Sequence, residues 1–153
     1  MKLSVLGCGR WGSFIAWYAE KLGHKVMLWG REKSSHLRQL MSERRNDMLE
    51  FSQDTVFSSD LSRALEYSEY IFISISSQEL RALMKDIPPS LLADKTIILC
   101  MKGLEEKTSL RLSEVTAEYL PHSSEIAVWV GPGHVQNFAN DIPNCMVIDS
   151  HIE

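Results

Sequence analysis

Apolar residues fall along this chain in two alternating rhythms. Lys2–Leu6 is a short apolar run cut off by glycine, which predicts a buried strand. Past Trp11 the period lengthens. Ile15, Tyr18, Ala19 and Leu22 recur at helical spacing, and Gly23 supplies a stop. Lys25–Trp29 predicts a second strand, and Leu37, Leu40 and Met41 a second helix. Arg44–Asp54 is polar without a period and reads as a loop. Thr55–Ser58 predicts a short strand, with Ser59 or Asp60 capping a helix that carries Leu61, Ala64 and Leu65. Tyr70–Ile75 is a strong strand signal. Leu80, Leu83, Met84 and Ile87 follow at i, i+3, i+4 and i+7, and Pro88-Pro89 ends that helix. Thr96–Met101 is the next strand, and Leu112, Val115, Tyr119 and Leu120 mark the next helix. Ala127–Val130 and Cys145–Ile148 close the series, with room for a short helix between them. Continuous apolar strands alternating with amphipathic helices imply a parallel sheet covered on both faces. No internal repeat, low-complexity segment or linker interrupts the pattern.

Length and composition narrow this picture. At 153 residues the chain reads as one α/β domain, 1-153, large enough to bury its own core. Apolar residues make up 44% and charged residues 24%, and the net charge of -4 argues against a nucleic-acid partner. Cys8, Cys100 and Cys145 match neither a zinc-ligand spacing nor a paired disulfide framework, so no metal is expected and the thiols read as free and buried. The apolar run before Gly7 is too short for a signal peptide, and nothing approaches the ~20 apolar residues of a membrane span. The expected compartment is cytoplasmic, with no membrane insertion. A unit that stops at Glu153, just after a strand, is expected to be half of a larger whole.

The chemistry concentrates in Gly7-Cys8-Gly9-Arg10-Trp11-Gly12, placed between the first strand and the first helix. A dinucleotide pyrophosphate must be desolvated and held, and backbone N–H groups at a helix start do this. Gly7 permits the turn, Gly9 lets the backbone approach the phosphates, and Gly12 lets the helix lie close to the sheet. The context predicts a Rossmann-type doubly wound fold, its mainly parallel sheet covered by helices on both faces. The second strand ends in Leu28-Trp29-Gly30-Arg31 with no acidic residue at its tip. Arg31 is suited to pair with a 2′-phosphate or to stack on adenine, which slightly favours NADP over NAD. Ligands in such sheets lie beyond the carboxyl ends of the strands. There Ser76-Ser77, Lys102-Gly103 and Gly131-Pro132-Gly133-His134 are found. Lys102 can reach a phosphate or carbonyl as a point charge. His134 could titrate near neutrality but defines no site by itself. Trp11 sits where it could wall a cofactor pocket, and Trp17 reads as packing.

These residues together resemble the N-terminal domain of NAD(P)-dependent glycerol-3-phosphate dehydrogenases. The resemblance is carried by the glycine turn with its tryptophan, Leu28-Trp29-Gly30-Arg31, Ser59-Asp60-Leu61 with Ala64-Leu65, Lys102-Gly103-Leu104-Glu105, Val130-Gly131-Pro132, and Pro143 before the last strand. It implies that Arg10, Trp11 and Arg31 contact the cofactor, that Lys102 touches both cofactor and substrate, that Gly131 contacts glycerol phosphate, and that the backbone at Val135 faces the cofactor. Two departures stand out. The family continues Gly-Pro with Ser-Phe-Ala, whereas this chain has Gly133-His134-Val135, so a serine expected at the substrate is Gly133. The family's Pro-Ser after the fourth strand is Ser76-Ser77 here.

The implied reaction interconverts dihydroxyacetone phosphate and sn-glycerol 3-phosphate and feeds phospholipid synthesis. The implied general acid/base lysine belongs to a helical C-terminal domain, so this domain by itself is expected to be inactive, and the full-length protein could be a homodimer. Two other readings share the architecture: another two-domain reductase, of ketopantoate or 6-phosphogluconate type, and a nucleotide-sensing module without catalysis.

Overall fold

The computed structural model describes residues 1–140, 142 and 144–150. Pro143, expected to lead the last strand, lies outside them. Strands β1 (Lys2–Leu6), β2 (Lys25–Trp29), β3 (Val56–Ser58), β4 (Tyr70–Ile73), β5 (Thr96–Leu99), β6 (Glu125–Val130) and β7 (Val147–Ser150) form one sheet. Its order is β3-β2-β1-β4-β5-β6-β7. Helices α1 (Arg10–Lys21), α2 (Ser35–Glu43), α3 (Leu61–Tyr67), α4 (Leu80–Asp86), α5 (Leu112–Ala117) and α6 (Val135–Ala139) alternate with the strands. β1 to β6 pair in parallel. The chain crosses from one side of β1 to the other between β3 and β4, which puts a switch point at the carboxyl ends of β1 and β4.

The continuous apolar runs are needed because both faces are buried. Side chains alternate across a strand. Val5, Leu28 and Ile98 enter one core with Phe14, Ala16, Leu37 and Leu40 of α1 and α2. Leu6, Ile71, Ile73, Ile97 and Leu99 enter the other with Leu80 and Met84 of α4. Ser4 is buried and donates from Oγ to the Ala64 carbonyl at 2.6 Å, tying α3 to β1. Asp60, rather than Ser59, caps α3 by accepting from the Arg63 N–H at 3.0 Å.

Several expectations need correction. β7 runs antiparallel to β6, with Val130 opposite Val147, and it begins two residues later than expected. The apolar pattern of a strand is the same in either direction, so it does not set direction, and an antiparallel edge strand on an otherwise parallel sheet is a common arrangement. β4 and β5 stop two residues early; Ser74 and Cys100 each still donate to the neighbouring strand, and 74–75 and 100–101 wall a cleft. The core face of α1 is Phe14, Ile15, Ala16 and Ala19, while Tyr18 and Leu22 are exposed. Met41 is exposed at the end of α2. α5 ends at Ala117, and Tyr119 and Leu120 pack beyond it. The loop over 44–54 is irregular as expected, yet it buries Leu49 and Phe51. Of the three cysteines, Cys8 and Cys100 are buried and Cys145 is exposed.

Candidate functional site

β1 must turn into α1 within three residues, and the three glycines of the turn do different work. Gly7 has φ +117°, a conformation L side chains rarely adopt, and a Cβ there would lie 2.0 Å from the Ser74 carbonyl oxygen. A Cβ at Gly12 would lie 1.9 Å from the Gly7 carbonyl oxygen. Both positions are closed by backbone. Gly9 has no atom within 4 Å of its missing Cβ. The outer glycines let helix, turn and strand touch, and the middle one faces open space.

That space is a cleft of about 680 Å³ at the carboxyl ends of the parallel strands, within the size range of small-molecule sites. Gly7, Gly9, Arg10, Trp11, Arg31, Lys102, Gly131 and Gly133 all line it. Gly12 does not, because it is on the face of α1 that packs against Gly7 and Ser74. Val135 is also buried, and it lines a smaller neighbouring cleft of about 460 Å³ with Arg10 and His36. Three cationic side chains, Arg10, Arg31 and Lys102, thus share one cavity with the hydroxyls of Ser76 and Ser77, a setting suited to an anionic ligand. Trp11 forms part of the wall. Its ring stacks on Phe14 at 5.3 Å and meets Trp129 and Phe138 at 6.1 Å. Trp17 packs against Phe14 outside the cleft.

Gly133, where the family has serine, is closely covered by the ends of two side chains. A Cβ there would lie 2.4 Å from Phe138 Cε2 and 2.9 Å from Met146 Sδ. A Cβ at Gly131 would meet the Cys145 carbonyl oxygen at 2.8 Å. His134 starts α6, is exposed and does not line the cleft.

Lys102 is presented by a loop that is held from α4 and the single turn Ser77–Glu79 before it. The Gln78 amide donates to the Leu104 carbonyl at 2.9 Å and accepts from the Glu106 N–H at 3.0 Å. Arg81 grips Glu105 with two bonds, at 2.7 and 3.0 Å, and also pairs with Glu118 of the segment after α5. Thr108 donates to the same Glu105 carboxylate at 2.6 Å. Hydrogen bonds from Arg81 and then Thr108 hold the Glu105 carboxyl below the usual glutamate range. The bond from Arg81 does the same for Glu118. On the cleft wall, burial pushes the Cys100 thiol up to about 12.

The cleft also contains residues that sequence reasoning passed over. Glu79 pairs with Arg31 at 2.5 Å. Its signal was present, because it lies just beyond the strand-end serines. Trp129 sits at the end of a strand already read as ligand-facing. Met146 arrives on the returning chain before β7, and no local pattern announces it.

A switch-point cleft, an open glycine turn and a cationic lining define a Rossmann-type dinucleotide-binding domain. Residues 2–153 match the family described as NAD-dependent glycerol-3-phosphate dehydrogenase N-terminus, and the chain belongs to that family. Among its relatives is the glycerol-3-phosphate dehydrogenase (NAD(P)+) of Thermoanaerobacter sp. strain X514, 35% identical over 155 residues that cover 98% of this chain and 46% of the relative. The Haemophilus influenzae enzyme of the same name is 31% identical over 156 residues, covering 99% and 46%. The crystal structure of glycerol-3-phosphate dehydrogenase from Coxiella burnetii superposes with a TM-score of 0.87 at 28% identity, covering 98% of this chain and 46% of that one. The Saccharomyces cerevisiae enzyme, at 20% identity and a TM-score of 0.84, shares the fold over 100% of this chain and 48% of its own. The chain spans about half the length of the curated relatives it matches.

Proposed function

We propose that this chain is the cofactor-binding half of an NAD(P)-dependent glycerol-3-phosphate dehydrogenase. The observation that carries the reading is the contrast within the glycine turn: Gly7 and Gly12 are closed by backbone, whereas Gly9 opens onto the cleft. A dinucleotide would lie with its pyrophosphate against Gly9 and Arg10 and with Trp11 as a wall. When bound, the nicotinamide would supply or take up the hydride that interconverts dihydroxyacetone phosphate and sn-glycerol 3-phosphate. Lys102 brings positive charge to the meeting point of cofactor and substrate, in the cleft that Gly131 and Gly133 also line. Arg31 lies at the ribose end. Val135 supports the wall from the adjoining cleft.

The remaining share of the relatives' length is where a helical substrate domain with the general acid/base belongs, so the 153-residue chain by itself turns nothing over. Cytoplasmic placement, a homodimeric full-length protein and a role in supplying phospholipid synthesis belong to the same proposal.

Calorimetric titration of NADH and NADPH tests it. The wild-type chain binds at least one of them below millimolar concentration. Gly9→Ala weakens that binding about tenfold or more, with the unfolding midpoint unchanged. No binding of either cofactor at millimolar concentration defeats the reading.

A further inference from the structure

In NAD-binding folds of this kind a carboxylate at the tip of the second strand usually accepts the ribose 2′-hydroxyl. Here that place is Gly30, where a side chain would press on Cys8 and Leu37. A Cβ would lie 2.4 Å from Cys8 Sγ and 3.2 Å from Leu37 Cβ. Both neighbours are buried, and Cys8 Sγ is 3.4 Å from Ser34 Oγ. The next residue, Arg31, lines the cleft, but its guanidinium is already engaged: Nη2 lies 2.5 Å from Glu79 Oε2. Glu79 comes from the opposite wall, at the end of the turn Ser77–Glu79 beyond β4, and lines the same cleft. A carboxylate therefore does reach the ribose end, delivered across the cleft instead of along β2.

We infer that Glu79 sets the cofactor preference, accepting the 2′-hydroxyl of NAD(H) and opposing the 2′-phosphate of NADP(H). The inference rests on the dinucleotide reading above. Arg31 unpaired would favour NADP(H); paired, it does not. The two side chains are 63% and 48% exposed, so the pair adds little to folding stability. Its effect is on discrimination. A carboxylate is an acceptor only, and a ribose hydroxyl can donate to it. A phosphate monoester carrying about -1.5 to -2 charges would have to share Arg31 with a carboxylate already in hydrogen-bond contact. Like charges brought together in this way are a recognised means of rejecting the wrong partner.

The test is calorimetric titration of NADH and NADPH into the full chain as wild type, Glu79→Gln, and Glu79→Gln with Arg31→Ala, each checked for fold by circular dichroism. The wild type binds NADH more tightly than NADPH. Glu79→Gln raises NADPH affinity about tenfold and lowers NADH affinity a few-fold. Adding Arg31→Ala abolishes the NADPH gain, because the gain comes from the guanidinium that the carboxylate had occupied. A wild type that prefers NADPH, or an NADH/NADPH ratio unmoved in Glu79→Gln, overturns the role of Glu79 and leaves the dinucleotide reading standing. Failure of the wild type to bind either cofactor overturns both.

Discussion

The two walls of the cleft are fixed by different means. At the glycine turn, backbone lies on backbone: Gly12 against the Gly7 carbonyl, Gly7 against the Ser74 carbonyl. At the Lys102 loop, side chains reach in from α4 and the turn before it: Gln78 to Leu104 and Glu106, Arg81 to Glu105. The first arrangement has no slack, because a carbonyl cannot rotate out of the way without moving the strand that bears it. The second can be loosened one contact at a time while the sheet beneath it stays intact. A wall of the first kind makes fold and site inseparable, and a wall of the second kind lets the site be adjusted separately.

The sharpest way to break the comparison is Gly12→Ala. Its methyl group would sit 1.9 Å from a carbonyl oxygen, and overpacking of this kind destabilises by about 3 kcal/mol. Urea unfolding measures it directly. A loss of under 1 kcal/mol would mean that the turn has more slack than its contacts indicate.

A smaller effect, confined to the other wall, is expected of Arg81→Leu. Glu105 and Glu118 are held below their ordinary range by hydrogen bonds from Arg81. A carboxylate depressed in the folded state contributes stability that is fully present above its unfolded pKa and is lost as pH falls through the folded one. The wild-type melting temperature should therefore fall on acidification below about pH 5. Arg81→Leu should begin lower at neutral pH and decline less steeply over that window, with the glycine turn unaffected. Equal slopes in the two proteins would remove Arg81 as the source of the shift.

The smallest effect is in thiol reactivity. In the native chain one cysteine, the exposed Cys145, should react promptly with an aromatic disulfide reagent. Buried Cys8 and Cys100 should react only on unfolding. Gly12→Ala should expose Cys8, which lies within the strained turn, whereas Arg81→Leu should leave it protected. Prompt labelling of two or three thiols in the wild type would contradict the packing on both walls.

Much of this was legible in the sequence, and the exceptions have physical causes. The bounds of β1 and β2 are legible because each is a mainly apolar run that begins at a lysine and is followed at once by glycine. The glycine turn was legible because its chemistry depends on neighbours in sequence. The antiparallel direction of β7 was not, because periodicity carries no strand direction. Tyr18, Leu22 and Met41 fit a helical stripe but lie where the helix rolls away from the sheet. Within the site, Lys102 followed from the strand-end rule. The Arg31–Glu79 and Arg81–Glu105 pairs join residues 48 and 24 positions apart, and a single sequence holds no trace of such partnerships. The close packing of Phe138 and Met146 over Gly133 is likewise absent from any local pattern.

The strand order has a consequence for how the chain assembles as it is synthesised. β1, the earliest of these strands in sequence, lies in the interior of the sheet, with β2 and β3 added outward on one side and β4, β5, β6 and β7 outward on the other. Every later strand therefore docks on an open edge, and none must be threaded between two that are already paired. A growing chain can register each strand as it emerges, at roughly 5–20 residues per second, without undoing earlier pairings. The open β1 edge waits for β4 until residue 70 has been made. During that interval the apolar strand, with its unpaired N–H and C=O groups, is the nascent chain's point of greatest exposure to aggregation.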